Sequence, residues 1–381
     1  MTDTTTEGNR WSWAAYLGAS WTWCIGMFLP VLLIRDYGPW AWVIFAVPNA
    51  VGAAAMGWVM RTREMSRDYT VRHALACRLF SFVTIAFQLF FAVWMLPRLV
   101  GPAGYVGAIV LVQSAFTPVI RQGWLRAGGV VALGLSYVFA IALALSGTLT
   151  WPAYVGIGFG NASGLLLVCL AGFIACPYLD LTFHRARQST SDADAKFAFG
   201  FGFCGLFASM IVLTFFYATN LFGLGGVAAW LLAAHLLLQM TYTVHVHAAE
   251  LLRQATTRDD SGVMRAGLGA WLAVGLVVGL AAVFGLENGF AYQGRSLGEL
   301  GYRTFMSFYG LLFPAYVLLA IGRRGVATAA WLTISALATP FYWLAFLEGR
   351  MAWAIAGVGV LVGGVLLART LTRSAAVPPT E

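Results

Sequence analysis

Between Trp11 and Arg369 the chain repeats one pattern, an apolar stretch about as long as a membrane span followed by a short polar break. About 20 helical residues cross the roughly 30 Å hydrocarbon core of a bilayer, where each backbone N–H and C=O must find its partner within the protein. Twelve stretches meet that length: 11–34, 38–60, 74–97, 103–120, 127–147, 152–178, 197–219, 224–252, 266–285, 300–322, 326–347 and 351–369. The expected fold is an all-α integral membrane protein of about 12 transmembrane helices.

Composition removes the alternatives. Apolar side chains make up 60% of the 381 residues and charged ones 10%, where soluble domains carry roughly 25% charge. A soluble enzyme is excluded, and twelve spans leave no length for a folded soluble domain. The net charge of +8 would suggest nucleic acid in a soluble chain, but no basic cluster stands beside aromatic platforms, so nucleic acid is not an expected partner. Cys24, Cys77, Cys169, Cys176 and Cys204 fall in or beside apolar stretches and read as small hydrophobes. Residues 1–10 form a polar tail, and the apolar stretch after them lacks a small-x-small cleavage site, which makes it a retained first span.

Positive charge stays on the cytoplasmic face of a membrane protein. With these spans, 18 of the 23 Arg and Lys residues fall on one side and 5 on the other. A missed or invented span would scramble that split. It predicts a multi-pass protein with both termini cytoplasmic; the expected location is the cytoplasmic (inner) membrane of a bacterium. No Asp, Glu, Lys or Arg lies well inside a span, so a buried proton-relay carboxylate is not expected.

Two spans carry matching interruptions. Span 6 contains Gly156-Ile157-Gly158-Phe159-Gly160-Asn161-Ala162-Ser163-Gly164, and span 1 contains Gly18-Ala19-Ser20-Trp21-Thr22-Trp23-Cys24-Ile25-Gly26 before Pro30. Glycine costs about 1 kcal/mol in a helix interior, and a broken helix frees backbone groups that can hold a solute or ion. The competing reading is close packing, because Gly156, Gly160 and Gly164 share one face. Span 8 carries a polar stripe, His235, Gln239 and Thr243, which must face the bundle because lipid offers polar groups nothing. Farther along it, His247 and Glu250 stand three residues apart and read as a solvated helix end. The outer loop Glu287–Arg295 reads as a connection or a lid.

The connection after span 6 runs Pro177-Tyr178-Leu179-Asp180-Leu181-Thr182-Phe183-His184-Arg185 and on to Lys196 and Gly200. It resembles the segment joining core helices 6 and 7 of the sodium/solute symporter family, with His184-Arg185 where Gln-Arg is usual and the spacing from Asp180 one residue tighter. Arg78-Leu79-Phe80-Ser81 is similar to an Arg-Phe-Gly-Ser element of that family. Through the order of spans the resemblance extends over about residues 11–322. It implies the five-plus-five inverted-repeat fold (LeuT-like) of the amino acid–polyamine–organocation superfamily. The implied units are a cytoplasmic tail 1–10, a first five-helix repeat 11–147, a second 148–322, two additional transmembrane helices 323–369 and a cytoplasmic tail 370–381.

What the resemblance implies is secondary transport of a small polar organic solute by alternating access, with Na+ or H+ as coupling ion and no other cofactor or metal. The expected solute-binding residues are Ser20, Trp21, Trp23, Gln88, Asn161, Ser163, His235 and Gln239, and the expected cytoplasmic gating residues are Asp180, His184 and Arg185. The partners are that solute and the lipid bilayer, and no residue pattern sets an oligomeric state. One departure stands out: span 8 reads Leu231-Leu232-Ala233-Ala234-His235-Leu236-Leu237-Leu238-Gln239, without the small hydroxyl residues that hold sodium in such families. Three other readings stay open: a solute sensor of the same fold, a major-facilitator-type transporter, and a membrane enzyme using His73, Asp180, His184 and His247. An enzyme is the least expected, since clustered histidine boxes are missing.

Overall fold

The structure, a computed structural model, describes residues 9–149, 159–255, 257–321 and 325–374. The chain starts with α1 (Arg10–Trp21) and α2 (Cys24–Tyr37), continues through α3 (Trp40–Val59) and the short polar α4 (Arg63–Arg72), and then α5 (Ala74–Val100), α6 (Gly104–Phe116) and α7 (Gln122–Leu145). Next come α8 (Phe159–Ala175), α9 (Leu181–Gln188), α10 (Asp192–Gly200), α11 (Ala208–Tyr217), α12 (Gly226–Arg253) and α13 (Arg258–Glu287). A two-strand hairpin, β1 (Ala291–Tyr292) and β2 (Arg295–Ser296), leads into α14 (Leu297–Ser307), α15 (Phe313–Ala320), α16 (Thr328–Tyr342) and α17 (Trp353–Ser374). The fold class expected from sequence is the one observed, an all-α membrane protein.

Among the described residues, ten helical stretches are long and apolar enough to cross a membrane, or eleven if α1 and α2 together count as one bent span. The twelve stretches read from sequence differ by one because residues 74–116 count here as a single stretch. That stretch turns at Gly101, whose φ of +64° suits a residue without Cβ. Beyond the turn α6 packs back on α5. A Cβ on Gly104 would lie 2.3 Å from the Leu96 carbonyl carbon, so the reversal depends on a bare backbone there.

The core is built around α5 and α12, whose long apolar faces are buried along most of their length. Aromatic rings fill the space between them and their neighbours. Phe87 stacks on Phe305 at 4.9 Å, and Phe28 stands edge-on to Tyr302 at 5.1 Å and to Trp94 at 5.4 Å. Helices approach closely at several glycines: a Cβ on Gly52 would lie 2.4 Å from the Phe173 carbonyl oxygen, and one on Gly172 2.7 Å from that of Tyr309. Among the described residues, three segments widen to π-helix, at Phe201–Phe207, Phe308–Leu312 and Trp343–Leu347. Such widening shifts the side chains that follow by one position around the axis.

The span 1 interruption expected from sequence is present: α1 and α2 meet at 51° across Thr22 and Trp23. In the described part of span 6 the interruption comes later than expected. Residues 154–158 fall outside the described residues, and from Phe159 to Ala175 the chain is helical, so Asn161 and Ser163 sit within a helix. Gly164 packs: a Cβ there would approach the Met351 carbonyl oxygen to 2.6 Å. The break follows α8, where Cys176–Leu179 forms a 3₁₀ turn and Asp180 is extended (φ −79°, ψ 111°). Pro177 supplies the physical cause, since it lacks an amide hydrogen to continue the ladder, and Asp180 starts α9 by accepting from the Thr182 amide.

Candidate functional site

The two interruptions meet. Trp21, the last residue of α1, packs its ring 5.0 Å from Phe183 of α9, and Thr182 Oγ1 stands 3.4 Å from Ser20 Oγ. Ser20, Thr22, Asp180 and Thr182 are all fully buried. A helix that ends in the interior leaves carbonyls without amide partners, and α12 supplies the missing donors. Gln239 is oriented with its amide nitrogen toward the carbonyls of Ala19 (3.0 Å) and Thr22 (3.2 Å) and its oxygen accepting from Ser136 Oγ at 2.5 Å; the reverse orientation would face oxygens with an oxygen. Thr243 donates to the Ser20 carbonyl at 3.5 Å. The span 8 stripe therefore faces the bundle, as expected, and His235 on the same helix is buried with it.

At the junction lies a small cavity of about 10 Å³ lined by Trp21, Trp23, Ile25, Gly26, Asn49, Phe173, Cys176 and Tyr309, room for about one water. Its walls are fixed by hydrogen bonds. Trp21 Nε1 donates to Asn49 Oδ1 at 2.6 Å, Tyr309 hydroxyl pairs with Thr84 Oγ1 at 3.0 Å, and Cys176 Sγ donates to the Tyr309 carbonyl at 3.3 Å. Trp23 stands edge-on to Tyr309 at 5.2 Å. Phe173 and Tyr309 also line a much larger apolar pocket of about 290 Å³ between α2, α8, α14 and α16, so these two side chains form the wall between the two spaces.

Charged networks close both ends of the junction. At the α2 end, Glu299 accepts a bidentate pair from Arg35 (2.8 and 2.6 Å) and a bond from Arg303 Nε (2.9 Å), while Arg303 also pairs with Asp36. At the α9 end, Arg185 pairs with Glu250 at 3.0 Å, and Glu250 with Arg253 at 3.3 Å. Fully buried Arg187 donates to the carbonyls of Met60 and Arg61, each at 2.5 Å, and pairs with Asp192. His184 Nε2 meets the Tyr178 carbonyl at 2.9 Å while its Nδ1 meets Ser66 Oγ at 2.8 Å, tying α9 to α4. Nearby His73 contacts the Tyr316 hydroxyl at 3.1 Å, and burial, aided by Arg72, holds its imidazole below the ordinary histidine range.

The structure gathers Ser20, Trp21, Trp23 and Gln239 at the junction, with Asp180, His184 and Arg185 on the α9 side. Gln88 is buried in α5 with neither amide atom bonded among the described residues, and outside the cavity wall. Ser163 is exposed on α8, far along the helix from the break; the side chain of Asn161 lies outside the described residues. Two sequence readings are corrected. His247 and Glu250, read as a solvated helix end, are buried at 0% and 4% exposure. And the interior does hold a carboxylate: Asp180, placed by sequence in a loop, is fully buried because the chain turns inward before α9. Asn49, Phe173, Tyr309 and Thr182 were not expected at the site. A polar Asn49 next to Pro48 in an apolar span was the one signal available.

No protein-family model matches the chain, and no curated protein matches it. Among solved structures, it is similar to Mhp1, a nucleobase-cation-symport-1 family transporter, in a closed conformation with bromovinylhydantoin bound, at 17% identity over 94% of this chain and 93% of that one, with a TM-score of 0.42. A likeness at that level assigns nothing to this chain.

Proposed function

We propose that the chain is a secondary transporter that moves a small polar organic solute by alternating access. The observation that carries this reading is the meeting of two interrupted helices, α1/α2 and α8/α9, in a buried polar centre closed at both ends by charged networks. Interrupted helices present backbone dipoles to a solute, and inside a membrane protein irregular backbone survives only where protein or a cavity satisfies it. The first span is bent at an interruption and the sixth ends at the break before α9, which supports two five-helix repeats, 11–147 and 148–322, followed by α16 and α17. Trp21, Trp23, Asn49 and Tyr309 would surround the solute, and a space of about 10 Å³ between them fits a closed arrangement.

The charge split puts the α9 network on the cytoplasmic side and the Arg35–Glu299–Arg303 cluster outside. Opening one network while the other stays closed is the alternation proposed. As for the coupling ion, the carbonyls at the end of α1 that a sodium ion would need are taken by the Gln239 amide, which favours a proton over sodium.

The test is uptake. Full-length protein in liposomes is offered radiolabelled amino acids, nucleobases and quaternary amines under an inward proton or sodium gradient. The expected result is accumulation of at least one solute, lost in Trp21→Ala. Thermal stabilisation by a solute that is never carried identifies a sensor and overturns transport.

A further inference from the structure

Beside the junction stands an acid and an imidazole that the packing leaves facing each other. Asp180 Oδ2 lies 3.8 Å from His247 Nε2. Both side chains are fully buried, and neither atom has a hydrogen-bond partner among the described residues. Their other atoms are committed: Asp180 Oδ1 accepts from the Thr182 amide and hydroxyl, both at 2.7 Å, and His247 Nδ1 meets Ser81 Oγ at 3.1 Å. Two orphaned polar atoms side by side in the interior are costly, because each has given up water and gained nothing. One proton between them turns both into a charge-assisted hydrogen bond, and closing the gap to about 2.8 Å takes a side-chain shift of about 1 Å.

We propose that Asp180 and His247 form a proton-binding site, holding one shared proton whenever both ends of the molecule are closed. The groups around it supply no competing cation. Tyr16 faces it from α1, Cys77 and Ser81 from α5, Cys176 from the 3₁₀ turn, Tyr309 from the π segment before α15 and Glu250 from α12. None of these carries positive charge. On α9, Arg185 is paired with Glu250 and Arg187 with Asp192. A hard cation such as sodium prefers a cage of oxygens, whereas here one free carboxylate oxygen faces a nitrogen.

The site is placed to sense closure. Asp180 begins α9, His247 belongs to α12, and Thr182 rests on Ser20 at the end of α1. Parting α9 from α1 and α12 would let water reach Oδ2 and release the proton; bringing them together with the carboxylate bare would bury an uncompensated charge. The proton comes from water, is held on Asp180 Oδ2 and shared with His247 Nε2, and returns to water, with no heavy-atom bond made or broken. The proposal rests on the transport reading only for the proton's role as coupling ion.

The test titrates the site itself by infrared spectroscopy, following the carbonyl stretch of a protonated carboxylic acid in full-length protein in phosphatidylcholine liposomes, from about pH 4 to about pH 9. Protein carrying carboxyl-¹³C aspartate identifies the band. The expected result is a label-sensitive band that disappears as pH rises, is absent in Asp180→Asn, and loses its label sensitivity in Asp180→Glu, which keeps the acid should the amide variant fail to fold. His247→Gln should move its midpoint by about one pH unit or more. Exchanging potassium chloride for sodium chloride should leave it in place. Absence of any Asp180-dependent band, a midpoint indifferent to His247→Gln, or a midpoint displaced by sodium each overturns the proposal. No solute or flux is involved, so a failed titration leaves the uptake test standing, and failed uptake leaves the titration standing.

Discussion

Gln239 of α12 closes the broken end of α1: its amide nitrogen lies 3.0 Å from the Ala19 carbonyl and 3.2 Å from that of Thr22. One side chain thereby satisfies two carbonyls that the interruption leaves without amides, at a depth where water does not.

Gln239→Leu should then orphan both carbonyls. A buried unsatisfied polar group costs about 1–3 kcal/mol, so a loss of roughly 2–4 kcal/mol is expected for the pair. Ser136→Ala, which removes only the donor to the Gln239 oxygen, should cost about 1 kcal/mol. Equilibrium unfolding in detergent compares them, and equal losses would contradict this account of Gln239.

Arg187 offers a second case of backbone held by a side chain. Its Nε, Nη1 and Nη2 reach the carbonyls of Met60, Thr190 and Arg61. A lysine keeps the charge but has no planar fork to spread over three acceptors. Arg187→Lys should therefore be destabilising by about 2–3 kcal/mol and should raise proteolysis in the connection between α3 and α4, readable by limited trypsin digestion followed by mass spectrometry. A variant as protease-resistant as wild type would contradict the role.

The glycines of α8 separate packing from unwinding. Gly172→Ala would place a methyl 2.7 Å from the Tyr309 carbonyl oxygen and Gly164→Ala one 2.6 Å from that of Met351, whereas a Cβ at Gly134 on α7 meets nothing within 4 Å. Overpacking against backbone costs about 1–3 kcal/mol. The first two variants should melt several degrees below wild type, and Gly134→Ala should melt at or slightly above it, since alanine is the better helix former.

Much of the frame was legible in the sequence because a bilayer demands length and apolarity, and both are visible residue by residue. The break at Thr22–Trp23 was legible as well, since Gly18, Ser20, Thr22 and Gly26 all weaken a helix there. In the described part of the sixth span the break comes later than expected. Glycine at 156–164 looked like the weak point, yet glycine at membrane depth also serves close approach, and the described part of that stretch is helical. The residue that stops α8 is Pro177, with Asp180 ready to start the next helix; read as loop residues, they gave no hint of depth. Asp180 and His247 lie 67 positions apart in sequence, and only the inward turn of the chain before α9 brings them together.

Sidedness can be read without any solute. Asp192, Asp259 and Asn288 are exposed. Single cysteines at 192 and 259 in a cysteine-free background should react with an impermeant thiol reagent from the cytoplasmic side, and one at 288 from the opposite side only. Labelling of 192 and 288 from the same face would contradict the assigned topology.

Alternating access itself is tested most directly at Cys176, which lines the small cavity and is 1% exposed. With Cys24, Cys77, Cys169 and Cys204 replaced by alanine, Cys176 is the remaining thiol. Glu299→Gln weakens the α2-end network and Glu250→Gln the α9-end network. In sealed vesicles an impermeant thiol reagent should reach Cys176 from the outside only in Glu299→Gln and from the cytoplasmic side only in Glu250→Gln. Labelling from one and the same side in both variants, or no labelling in either while both remain folded, would contradict it.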